Sequence, residues 1–252
     1  MVPGTAYVWW ARPADAGAFP GLAALLDGTE RERWSGYRRA EDRNRFLVGC
    51  SLAKSVAAGE LGLTAAEIAL DRTCAQCGKP HGKPRLVGSD LELSVSHSGD
   101  RVAVAAARGA PVGVDVEDAN GRTRGEDDQA ALERYVLSDA EMATYPVGPA
   151  VPDAEQRLRN FLVIWTRKEA VTKATGDGLR VSFREVTVSP PGQPPAVVAW
   201  PYPEPPDSVS LFDLDDDAGP GVGYKAAVAV IGRCDAVVSL DGTALLEKAA
   251  NL

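Results

Sequence analysis

The stretch Phe161–Leu179, FLVIWTRKEAVTKATGDGL, decides how this chain is organised. Trp165, Glu169 and Lys173 recur at i, i+4 and i+8, so on a helix they line one stripe: an aromatic, a carboxylate and an ammonium. Gly176 and Gly178 follow at once, and glycine just past the last periodic residue is a helix stop. The helix is expected to begin at Ala154 or Glu155. Upstream, Gly113–Glu117 reads GVDVE. On a strand Asp115 and Glu117 share one face while Val114 and Val116 turn to the core. Two strand acids and one helix acid make an oxygen-ligand set for a hard divalent cation.

The whole chain bounds this reading. Its 252 residues make one large domain or two small ones, and 45% apolar with 25% charged residues is a globular composition. Met1–Arg12 alternates like a first strand and lacks the charged start and apolar run of a secretory signal. No apolar stretch reaches the roughly 20 residues that span a bilayer. The expectation is a cytoplasmic monomer without membrane contact. A net charge of −8 argues against nucleic acid as a partner. Charge is uneven, however: Arg31, Arg33, Arg38, Arg39, Arg43 and Arg45 crowd one stretch, while Glu117–Glu155 and Asp213–Asp217 are acid-rich. The arginines are either a solvated helix face or an anion site. Four cysteines, Cys50, Cys74, Cys77 and Cys234, make no disulfide framework at this length. Cys74-Ala-Gln-Cys77-Gly78 has the spacing of half a zinc knuckle. With no second CxxC, the reading prefers a reduced turn.

Taken in order, the chain offers a strand over 2–10, a helix start over 17–27, and a long helix over Glu41–Leu61 ending at Gly62. Thr64–Glu67 has the form of a capped turn. Arg72–Leu86, punctuated by Gly and Pro, is a loop. Strands follow at Leu91–Ser96 and Val102–Ala107, joined by a turn at His97–Asp100, and then at Gly113–Glu117. Weak helices over 129–136 and 138–145 lie within the irregular stretch Asn120–Pro152. After the Trp165 helix come antiparallel strands at 183–189, 196–200, 209–214 and 224–231, and a closing helix over 243–248. The fold class is α+β: two similar α/β lobes in one chain, each with a small, mainly antiparallel sheet and a long helix, and a site in the cleft between them. The first lobe is placed at 1–110 and the second at 111–252.

By spacing alone Asp115 and Glu117 are equally a pair of exposed strand acids, and Glu169 with Lys173 a surface i,i+4 pair worth about 0.3–0.5 kcal/mol. Together, GVDVE at 113–117 and FLVIWTRKEAVTKATGDGL at 161–179 resemble the two signature motifs of the phosphopantetheinyl transferases. GKP at 82–84 and SVSHSG at 94–99 resemble further motifs in the family's order. Length and two-lobe pattern resemble the surfactin-synthetase-activating (Sfp-type) branch, a pseudo-dimer in one chain.

The resemblance implies Mg²⁺-dependent transfer of 4′-phosphopantetheine from coenzyme A to a serine of an apo carrier protein, releasing adenosine 3′,5′-bisphosphate. It implies that Asp115, Glu117 and Glu169 hold the metal, that Glu169 is the general base, and that Lys173 neutralises the pyrophosphate. It assigns Ser96 and His97 to the 3′-phosphate, with Lys83, Arg45 and Arg33 adding positive charge. Carrier proteins of polyketide, nonribosomal peptide or fatty-acid synthesis are the implied partners. Asn120–Pro152 runs from the metal strand to the catalytic helix, and part of it, with the apolar Leu132, Tyr135, Val136, Leu137, Met142 and Tyr145, is expected to form their docking surface. Two other classes fit the same acids: a non-catalytic coenzyme A-binding module, and a metal-dependent phosphotransferase or nuclease needing no protein acceptor.

Overall fold

The computed structural model describes residues 1–74, 76–120, 125–147, 151, 153–201, 209–214 and 219–251. Positions 215–217 of the acid-rich run, and 121–124, 148–150 and 152 of the irregular stretch, lie outside them. In chain order the elements are β1 (Thr5–Ala11), α1 (Asp15–Ala18), α2 (Gly28–Gly36), α3 (Ala40–Leu61), β2 (Leu91–Ser98), β3 (Arg101–Arg108) and β4 (Val112–Asp118). There follow α4 (Glu126–Val136), α5 (Asp139–Thr144), α6 (Ala154–Thr175), β5 (Thr187–Val188) and β6 (Val197–Ala199). The last are β7 (Val209–Asp213), β8 (Tyr224–Ile231), β9 (Ala236–Asp241) and α7 (Thr243–Ala250).

These elements form two compact units, Met1–Ala110 with Ala236–Leu252, and Pro111–Asp235. Each pairs a small sheet with a 22-residue helix, α3 in the first and α6 in the second. This is the mixed α+β architecture expected from the sequence.

In the first unit the strand order is β2-β3-β1-β9, antiparallel except for the parallel pair β1 and β9. Alternate residues of the hairpin, Leu91 and Leu93 with Val102, Val104 and Ala106, meet Leu47, Leu52 and Val56 of α3 in one core. The helix buries even Lys54, whose ammonium donates to the Leu25 carbonyl at 2.7 Å and pairs with Glu30 at 2.7 Å. The capped turn at Thr64–Glu67 forms with both of its reciprocal bonds.

β9 corrects the lobe boundary. The segment after 235 was assigned to the second lobe, but Ala236–Leu252 joins the first unit by laying β9 along β1 from Thr5↔Ala236 to Trp10↔Asp241. β9 is an edge strand whose alternating apolar residues Ala236, Val238 and Leu240 are exposed, so its pattern points to no core and names no partner.

In the second unit β4-β8-β7 form an antiparallel sheet, and β5 and β6 a separate pair. α6 starts at Asp153, whose carboxylate accepts from the amides of Glu155 (2.9 Å) and Gln156 (3.3 Å), and stops at Gly176 in the left-handed region. One side of α6 buries Ala170, Val171 and Ala174 against Leu211, Ala227 and Ala229. Another buries Phe161, Leu162 and Ile164 against Val136, Leu137, Phe183 and Val188. Trp165 belongs with this core: its ring lies 5.9 Å from that of Phe161 and 5.8 Å from that of Phe183. The strand expected over 183–189 is instead a 3-10 turn, Phe183–Glu185, before the two residues of β5. Lys168 explains the turn, since its buried ammonium takes the Phe183 carbonyl at 2.8 Å. No helix among the described residues is long and apolar enough to cross a membrane.

Candidate active site

The second unit builds its site on one close approach. A Cβ at Gly113 would fall 2.0 Å from the Ala170 carbonyl oxygen and 2.4 Å from the Ala174 amide nitrogen, so only glycine lets β4 touch the α6 backbone here. Residues two apart on a strand share a face, so Asp115 and Glu117 follow Gly113 onto the α6 side. Lys173, one residue before Ala174, then meets Asp115 with Nζ 2.6 Å from Oδ1. Asp115 is 4% exposed and Glu117 7%. Burial on that scale excludes the reading as exposed strand acids.

The electrostatics follow from this crowding. Burial raises the Glu169 carboxyl above the ordinary range; Lys173 pulls it down and Asp115 pushes it up again. For Lys173 burial works against the charge, but Asp115, Glu169 and Glu117 together outweigh it and hold the ammonium above the usual lysine value. Three acids thus act on one ammonium, and Asp115, Glu117 and Glu169 are hard oxygen donors of the kind that could hold a divalent cation.

Three neighbours were not singled out from the sequence. Lys225 stands opposite Glu117 across the β4–β8 ladder, on the same face, a placement visible only once the register is known. It lines a cavity of about 220 Å³ with Val163, Thr166, Gly192 and Asp213. Arg167 is fully buried and binds both oxygens of Asp213, at 2.8 and 2.5 Å. Lys168 is also fully buried; it donates to Glu141 at 2.6 Å and to the Val136 and Phe183 carbonyls at 2.8 Å. Two cations immediately before Glu169, in a helix with an apolar side, were the available signal.

The residues assigned to the nucleotide end all lie in the first unit. Arg45 of α3 donates to the Gly99 carbonyl (2.8 Å) in the β2–β3 turn and to Asp42 (2.8 Å). His97 is exposed on β2 just before that turn. Its odd-numbered position puts it on the face that carries Leu91 and Leu93 toward α3. Ser96 lies on the opposite face and is buried. Consecutive strand residues point apart, so the side chains of Ser96 and His97 lie on opposite faces of β2. Arg33 stacks its guanidinium 5.1 Å from the Phe46 ring centroid and donates to the Pro80 carbonyl at 2.5 Å. Lys83 holds Glu92 at 2.7 Å, and burial lowers its ammonium below the usual lysine value against the pull of that carboxylate.

The profile of the 4′-phosphopantetheinyl transferase superfamily matches residues 111–229, and that of the N-terminal region of 4′-phosphopantetheinyl transferase matches 10–109. The 4′-phosphopantetheinyl transferase HetI of Nostoc sp. is 30% identical over 84% of this chain and 81% of its own. The chain belongs to the 4′-phosphopantetheinyl transferase superfamily, as an enzyme of its surfactin-synthetase-activating branch. A 4′-phosphopantetheinyl transferase of Bacillus subtilis is 26% identical over 88% of this chain and 89% of its own. The 4′-phosphopantetheinyl transferase Sfp of Bacillus subtilis strain 168 is 22% identical over 81% and 82%.

Proposed function

We propose that the chain transfers 4′-phosphopantetheine from coenzyme A to a serine of an apo carrier protein, releasing adenosine 3′,5′-bisphosphate. The observation that carries this reading is the meeting of Asp115, Glu117, Glu169 and Lys173 where Gly113 lets β4 touch α6. A bound Mg²⁺ would neutralise pyrophosphate charge and polarise the attacked phosphorus. Asp115, Glu117 and Glu169 would hold it. Glu169, made more basic by burial, takes the proton from the serine hydroxyl as its oxygen bonds to the phosphorus. The bond from phosphorus to the departing bisphosphate oxygen breaks, and Lys173, held cationic by its acids, stabilises the charge that appears there. The test is incubation with coenzyme A, Mg²⁺ and an apo carrier protein. One phosphopantetheine added to the carrier, seen by intact mass, supports the reading. An unmodified carrier together with cleaved coenzyme A would point to a phosphotransferase or nuclease instead.

His97 is assigned to the 3′-phosphate, with Arg45 beside it. Dephospho-coenzyme A is then expected to be the poorer substrate, and His97→Ala to lose much of that preference, about 1.5–3 kcal/mol for a charge-assisted hydrogen bond. An unchanged ratio of kcat/KM for the two substrates in the variant places the phosphate elsewhere.

Docking of the carrier is assigned to the α4–α5 segment. Val136 and Leu137, which the apolar pattern there included, are fully buried and belong to the core. Tyr135 and Met142 remain exposed. Tyr135→Asp and Met142→Asp are expected to raise KM for the carrier and leave that for coenzyme A near its original value. Equal changes in both constants would count against this surface.

A further inference from the structure

Cys74, Cys77 and His81 present two thiol sulfurs and an imidazole nitrogen that all lie within 4.8 Å of one another. Cys77 Sγ and His81 Nε2 are 2.9 Å apart. In tetrahedral zinc coordination two sulfurs at about 2.3 Å from the metal stand about 3.8 Å from each other. The three atoms therefore already occupy a volume that one zinc ion fits. The sequence holds no second CxxC to complete a zinc knuckle. The structure supplies the missing partner from within the same loop.

The backbone is shaped to bring the three together. Asp71 and Arg85 pair as an isolated bridge, with N···O distances of 2.9 and 2.8 Å, and close the base of the loop. At its tip Gly78 N donates to the Cys74 carbonyl at 2.9 Å, and Cys74 N donates to the Lys79 carbonyl at 2.9 Å, folding the CxxC into a knuckle turn. Gly82 N donates to the Arg72 carbonyl at 2.7 Å, and a Cβ at Gly82 would stand 3.0 Å from that oxygen and 3.1 Å from the Thr73 carbonyl. Glycine there lets the histidine arm fold back on the first cysteine. Cys77 and His81 are exposed and Cys74 is half-buried, so metal has access. The loop contributes almost nothing to the apolar core, so a cross-link is what such a segment lacks.

We propose that Cys74, Cys77 and His81 form a zinc site, bound as two thiolates and one neutral imidazole. The two thiol protons are released on binding. Soft thiolates select zinc over magnesium, so the site is separate in chemistry from the carboxylate centre. Lys83 follows His81 by two residues, and Pro80 accepts the bond from Arg33. Zinc would therefore fix the loop that presents both cations, a consequence that rests on the transfer reading.

The experiment is metal analysis of the full chain, purified and dialysed against zinc, with native mass spectrometry and a thiol titration alongside. Stoichiometric zinc in the wild type, lost in Cys74→Ser, Cys77→Ser and His81→Ala, is the expected result. Cobalt in its place should give thiolate charge-transfer bands that vanish in the same variants. Absence of zinc from the wild type, a disulfide between Cys74 and Cys77, or zinc retained by all three variants overturns the proposal. If zinc fixes the loop, Cys77→Ser raises KM for coenzyme A at saturating Mg²⁺ with kcat kept. Metal content does not depend on any transfer being seen, so the two readings fail separately.

Discussion

Asp115→Asn, Glu117→Gln and Glu169→Gln are each expected to lower kcat/KM for transfer by about 100-fold or more, at any Mg²⁺ concentration for Glu169. Each change keeps the shape of the side chain and removes one negative charge from the set around Lys173. The fold is expected to persist, because the close contact at Gly113 does not involve these carboxyl groups. Far-ultraviolet circular dichroism and thermal melts would check that. The pH dependence gives a second handle. The wild-type rate should fall with acid as Glu169 takes up a proton. Lys173 is shifted upward, so it stays charged well into alkali. In Glu169→Gln the residual rate should lose that acid limb. Near-normal turnover in this variant at saturating Mg²⁺, or an acid limb that stays in place, would remove Glu169 from the role of base.

The largest effect on stability is expected at Lys168. Its ammonium and the Glu141 carboxylate are both fully buried, 2.6 Å apart. Glu141 also accepts from the Ser138 amide at 2.8 Å and the Val188 amide at 3.0 Å, so the pair ties α5, α6 and β5 together. Lys168→Met leaves that carboxylate in an apolar interior without its cation, which typically costs about 3–5 kcal/mol. Urea denaturation should show it as a lower midpoint. A loss under about 1 kcal/mol would mean the site relaxes or takes up water. Burial works against the charge on Lys168 and Glu141 opposes part of that, so the ammonium depends on its carboxylate partner.

The local code of the chain was legible because it is written in short-range terms. Helix stops at Gly62 and Gly176, the capped turn at Thr64, the hairpin around Gly99 and the strand holding Asp115 all stand where the sequence puts them. The acid set was legible for the same reason: strand alternation and helix periodicity fix which side chains share a face. What could not be read depended on pairing across distance. The partner of β9 lies some 230 positions away in the sequence, and Lys225 meets Glu117 only through a ladder register. Lys168 and Arg167 look like surface charges until the carboxylates that receive them are placed. His81 joins Cys74 and Cys77 only once the loop folds back.

The parallel pairing of β9 with β1 has a consequence for the order in which the molecule can be made. Every residue of the second unit leaves the ribosome before Ala236, so that unit can complete its own sheet while the nascent chain is still growing. The first unit cannot. Until 236–241 have emerged, β1 offers an open row of amides and carbonyls beside β3, a template for any stray strand. Strand closure thus waits on synthesis of the intervening 125 residues of Pro111–Asp235. The unit begun first is finished last, and its vulnerable interval is set by the speed of translation.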